Sequence, residues 1–171
     1  MDDPHDDPVS AWLLRAATRP GEALASWRGG QPAILRTGIV FDALLVSRGI
    51  GVCLIEALGE SASGPVVFSN LAATAAFLLP AGTFVRGGEL PLVGRCAGAG
   101  GSVRIPSPLG RGRMEVRWAV RPAAPDHLHS PERLWSAYPA ALDIALAGLP
   151  PGEADEAREA VLHQVGLLTF H

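Results

Sequence analysis

Cysteine is scarce in this chain of 171 residues, lysine is missing altogether, and no apolar run is long. Cys53 and Cys96 are the only thiols, too few for a secreted disulfide scaffold and too far apart for a zinc-ligand pair. The expectation is a reduced, cytoplasmic protein. All 14 basic residues are arginine, beside 20 glycines and 15 prolines, a bias that fits a GC-rich genome and from which no mechanism follows. The opening Met1–Pro8 carries four aspartates where a secretory signal would carry basic residues, so positions 1–8 read as an acidic disordered tail. The most apolar stretch, Val66–Leu79, is interrupted by Ser69, Asn70 and Thr74 and falls short of the ~20 residues a membrane-spanning helix requires. With 18% charged residues, a net charge of −3 and a pI near 5.9, the chain is neither a charge-driven disordered protein nor a globally basic nucleic-acid binder.

The patterning predicts a single α+β domain over 9–171, with a mixed or antiparallel sheet, an antiparallel hairpin meander and flanking helices at both ends. Asp7 can cap, and Pro8 open, a short helix over Val9–Thr18, and Glu22–Trp27 reads as another, stopped by Gly29-Gly30. Ala33–Arg36 and Ile39–Val46 read as a strand pair or one bent strand, followed by a helix over Ser47–Leu58. Val66–Ser69 and Ala75–Leu79 are the next strands. From Leu92 to Val120 short branched runs alternate with glycine- and proline-rich turns, which is the meander signal, and Val116, Trp118 and Val120 alternate with arginines as in a strand with one wet face. Helices are expected over 130–149, where Pro139 should kink or split the first, and over 153–168. Alanine and valine line one face of the last helix.

Charge placement carries the chemistry. Between positions 86 and 121 seven arginines face only Glu89 and Glu115, a local balance of +5, while the remainder of the chain stands at −8. Arg86, Arg95, Arg104, Arg111, Arg113 and Arg117 are the candidate phosphate-binding residues, because arginine forks pair two oxygens and neighbouring glycines let backbone N–H groups approach. Solvated strand positions, some paired with acids, would explain the same pattern. Gly98-Ala99-Gly100-Gly101 lacks a following Lys-Ser/Thr and precedes a strand, so it reads as a hairpin turn rather than a nucleotide loop. Asp126, His127 and His129 could contribute to a metal site only with a further ligand, and as turn residues before a capped helix they need none. Neither cysteine stands in a nucleophile motif, and both read as small core thiols.

The series Gly98-Ala99-Gly100-Gly101-Ser102-Val103-Arg104-Ile105-Pro106-Ser107-Pro108, then Gly110 and Glu115-Val116-Arg117-Trp118, resembles the bifunctional DNA primase/polymerase N-terminal domains of the archaeo-eukaryotic primase superfamily. Phe41–Val46 falls where those domains have their first acidic strand, and the resemblance spans about positions 30–125. It implies a nucleotide-handling scaffold, with carboxylates one residue apart on that strand holding divalent ions. Here Asp42 is a remnant acidic position with Leu44 in place of its partner, Val103 stands where the family has a histidine, and no aspartate occurs over Arg117–Val120.

The resemblance therefore implies a primase/polymerase-like module without polymerase activity. It would need no cofactor or metal, and its arginine hairpins would contact single-stranded nucleic acid or nucleotide phosphates. The alternative is a non-catalytic interaction or regulatory module whose arginine face meets an acidic protein partner. No membrane partner is expected.

Overall fold

A computed structural model describes residues 6–59, 64–84, 88–90, 94–110, 115–147 and 150–169. Asp7 does cap the first helix, accepting the Ser10 N–H at 2.7 Å, and Pro8 opens α1 (Pro8–Leu14). Pro20 likewise occupies the first turn of α2 (Pro20–Arg28), which buries Ala23, Leu24 and Trp27. Strands β1 (Ala33–Arg36) and β2 (Phe41–Ser47) follow, then α3 (Arg48–Leu58), whose N-cap is Ser47. β3 (Val66–Ser69) and β4 (Thr74–Pro80) form a hairpin, and so do β5 (Gly88–Leu90) and β6 (Gly94–Ala97). β7 (Ser102–Ile105) and β8 (Val116–Val120) complete the strands, and α4 (Pro131–Leu146) and α5 (Pro151–Thr169) close the fold.

The architecture is α+β with antiparallel pairing throughout: a six-stranded sheet in the order β5-β6-β2-β4-β3-β8 and a two-stranded sheet of β1 and β7. The runs of 92–120 are strands as expected but do not form one meander. β6 joins the large sheet between β5 and β2, β7 leaves it to pair with β1, and β8 returns to the far edge against β3. β1 and β2, expected to form a strand pair or one bent strand, instead take partners from distant segments. The Gly98–Gly101 turn correspondingly connects two sheets rather than closing a hairpin. Thr37 holds it by donating its side-chain hydroxyl to the Gly98 carbonyl at 2.6 Å and its N–H to the Gly101 carbonyl at 3.0 Å.

Both faces of the large sheet carry a core. On one, α1, α2 and the small sheet pack Trp12, Leu13, Trp27, Leu35 and Ile105 against Phe41, Ala43 and Leu78. On the other, Leu44, Phe77 and Leu79 meet Leu54 of α3 and Leu134, Tyr138 and Leu142 of α4. α4 runs unbroken through Pro139: the ring removes one backbone bond, and the buried Leu134, Tyr138 and Leu142 stripe holds the helix together across the gap. Two indoles pin the segment after β7, Trp27 donating to the Ile105 carbonyl and Trp118 to that of Ser107, each at 3.0 Å. Among the described residues no helix is long and apolar enough to cross a membrane.

Candidate functional site

Strand register builds a row of side chains across the first face of the large sheet. Arg95 of β6 is the partner of Leu45 on β2, Leu45 of Ala76 on β4, and Ala76 of Val67 on β3. The next row toward the β3–β4 turn holds Thr74 and Ser69. The small sheet covers only part of this face, and where the cover ends a groove of about 260 Å³ opens. Ser102, Val103 and Arg104 of β7 and Ile34 of β1 form its other wall. Arg95 and Arg104, brought from different sheets, therefore line one depression with the hydroxyls of Ser69, Thr74 and Ser102, and no carboxylate is among its described lining residues. A larger depression of about 450 Å³ lies between α2 and β1, but its one cation, Arg19, is paired with Glu22 at 2.8 Å.

The candidate arginines do not share one surface. Arg95 and Arg104 are exposed at the groove. Arg117 is also exposed, but it is the register partner of Phe68 and stands on the opposite, helix-bearing face of the sheet, its guanidinium 5.6 Å from the Phe68 ring centre. Arg86, Arg111 and Arg113 lie outside the described residues. Among the described residues the salt bridges are Arg19–Glu22 and Arg158–Asp143. The backbone register does place Glu89 directly opposite Arg95.

Asp42 is not in the groove. It is fully buried on the helix-bearing side, where its Oδ2 accepts the Phe84 N–H at 2.8 Å. Burial raises its pKa, and the nearby N–H groups of Phe84, Gly82, Gly38 and Thr83 oppose that rise. This carboxylate anchors the loop after β4. Leu44 has the same parity and enters the same core, and the β2 residue that lines the groove is the apolar Leu45. Val103, by contrast, does line the groove.

The Asp126-His127-His129 segment does not converge. Asp126 and His127 are exposed, whereas His129 is 2% exposed, accepts the Gly64 N–H at Nδ1 and packs its ring 5.2 Å from that of Phe77. Burial lowers its pKa to about 4. No group of three His, Cys, Asp or Glu side chains among the described residues is arranged to hold a metal ion. Cys96 is buried beside Asp42, and desolvation with that neighbouring charge pushes the thiol up to about 12. Cys53 is half-buried on α3.

Arg48 is a cation that inspection of the sequence passed over. It begins α3, donates to Asn70 Oδ1 at 2.6 Å and lies 5.2 Å from the centre of the same Phe68 ring that Arg117 covers. Its local signal, an arginine after a capping serine, gives no hint of a ring 20 positions away. No protein-family model matches the chain, and no curated protein or solved structure matches it either.

Proposed function

We propose that the groove binds the phosphates of single-stranded nucleic acid or a nucleotide, in a primase/polymerase-like module that does not polymerise. The observation that carries this reading is the meeting of Arg95 and Arg104 in one depression with three hydroxyl side chains, with no acid among its described lining residues. Guanidinium forks pair phosphate oxygens, and hydroxyls add donors without charge. Apolar Leu45 in the groove and the commitment of Asp42 to Phe84 support the non-catalytic part of the reading.

Fluorescence titration of a labelled single-stranded oligonucleotide and of a nucleotide tests it. Binding should weaken as salt rises, with a slope of about −0.7 in log–log form for each phosphate contacted on a single strand. Absence of binding by either ligand at low salt would remove the reading. Metal-dependent primer extension by the purified protein would overturn its non-catalytic part. A second reading, docking of an acidic protein segment, draws on Ile34, which is 63% exposed and directly opposite Arg104 at the groove's lip. A protein that purifies free of nucleic acid and in a defined complex with another protein would favour it.

A further inference from the structure

We propose that a bound single strand does not end in the groove but continues over the β3–β4 turn onto the opposite face of the sheet, where Arg48 and Arg117 take its next phosphates. This rests on the phosphate-binding reading of the groove and deepens it by naming the ligand as an extended strand rather than a mononucleotide.

The two cationic pairs lie on opposite faces but meet at one end of the sheet. Ser69 and Thr74, which flank the β3–β4 turn, line the groove. Phe68, one residue before Ser69, points to the other face and carries Arg48 and Arg117 at 5.2 and 5.6 Å from its ring centre. The turn itself ties these parts together: Arg48 donates its N–H to the Ala73 carbonyl at 2.9 Å and its guanidinium to Asn70 Oδ1 at 2.6 Å, while the Asn70 N–H donates to the Glu115 carbonyl at 2.8 Å. Both guanidiniums lie over one phenyl ring, and among the described residues neither forms a salt bridge. Each can therefore pair a phosphate oxygen. Leu71, 66% exposed, sits on the turn between the pairs and offers a base an apolar contact.

Size and stiffness select the ligand. A groove of about 260 Å³ lies below the roughly 300–1,000 Å³ of pockets that enclose a whole small molecule, so it suits part of a longer one. One phosphate group cannot touch both faces of a sheet, and a duplex, stiff over roughly 150 base pairs, does not fold round a sheet end. A flexible single strand does both.

The test uses the full chain, a mononucleotide and oligothymidylates of increasing length. For wild type, affinity should rise with length, and the long strand should show a salt slope of about −2.8 if all four arginines neutralise phosphates. In Arg48→Gln/Arg117→Gln the slope should fall to about −1.4, with mononucleotide binding unchanged. Each single variant should account for about half of that fall, which preserves the test if the double variant does not fold. A long strand that binds no better than the mononucleotide, or an unchanged slope in folded variants, overturns the wrapped path and leaves the groove reading standing. Failure of wild type to bind any of these ligands, with or without binding of an acidic peptide, removes both.

Discussion

The two faces of the large sheet use their polar residues in opposite ways. The helix-bearing face is closed by α3, α4 and α5, and Asp42, Cys96 and His129 on its side are buried and held to structural partners or surrounded by apolar side chains. The other face is only partly covered by the small sheet, and there Arg95 and Arg104 keep their guanidiniums exposed beside hydroxyls. Titratable residues in a closed layer stabilise one arrangement, whereas charge at the margin of an incomplete layer is free to meet a ligand. The presence of a carboxylate, an imidazole or a thiol in the sequence therefore says less about chemistry than the completeness of the layer above it.

Packing should show the largest difference between the faces. Phe77→Ala removes a fully buried ring from the closed core and should cost about 3–5 kcal/mol, whereas Leu45→Ala, at a half-buried groove position, should cost about 1–2 kcal/mol. Denaturant unfolding of both variants measures this, and equal losses would break the distinction between a closed and an open face.

Protonation should show the next largest. His129 is neutral in the fold, its pKa lowered from 6.5 to about 4, so the unfolded chain takes up a proton first as pH falls. Its contribution to stability is full above pH 6.5 and is lost progressively between 6.5 and 4, by about 3 kcal/mol in all. Unfolding free energies measured across that range should fall more steeply for wild type than for His129→Gln.

Asp42 has the opposite sign. Its pKa is raised in the fold, so what it contributes to stability is present below the ordinary carboxylate value of 3.8 and diminishes as pH rises through the folded value. Asp42→Asn retains an acceptor for the Phe84 N–H and carries no ionisation penalty, so at neutral pH it should be at least as stable as wild type. Asp42→Ala leaves that N–H unpaired and should lose about 1–3 kcal/mol. Thermal melts of the two variants at neutral pH separate a loop anchor from a group kept for chemistry.

Much of the local structure was legible because local rules govern it. Asp7-Pro8 and Ser130-Pro131 open helices as capping chemistry dictates, β3 has the expected bounds, and Arg117 is exposed between buried Val116 and Trp118. The partners of each strand were not legible. β1 finds β7 rather than β2, a choice made by the burial of Leu35, Val103 and Ile105 under Trp27, which no neighbouring residue announces. The facing of β2 was hidden for a related reason. Both its faces are covered, so its side chains do not alternate in polarity, and nothing local shows that Asp42 and Leu44 enter the helical core while Leu45 reaches the groove. The clustering of arginines in sequence was a partial guide: two of them share the groove, Arg117 belongs to the other face, and its companion Arg48 lies outside the cluster.

The most direct test is titration of a labelled single strand at low salt against wild type and Arg95→Gln/Arg104→Gln, with melts run in parallel. These exposed residues should change stability by no more than about 0.5 kcal/mol. Loss of their charge-assisted contacts should weaken binding by about tenfold or more. A folded double variant that binds the strand as tightly as wild type would contradict the assignment of the groove as the phosphate site.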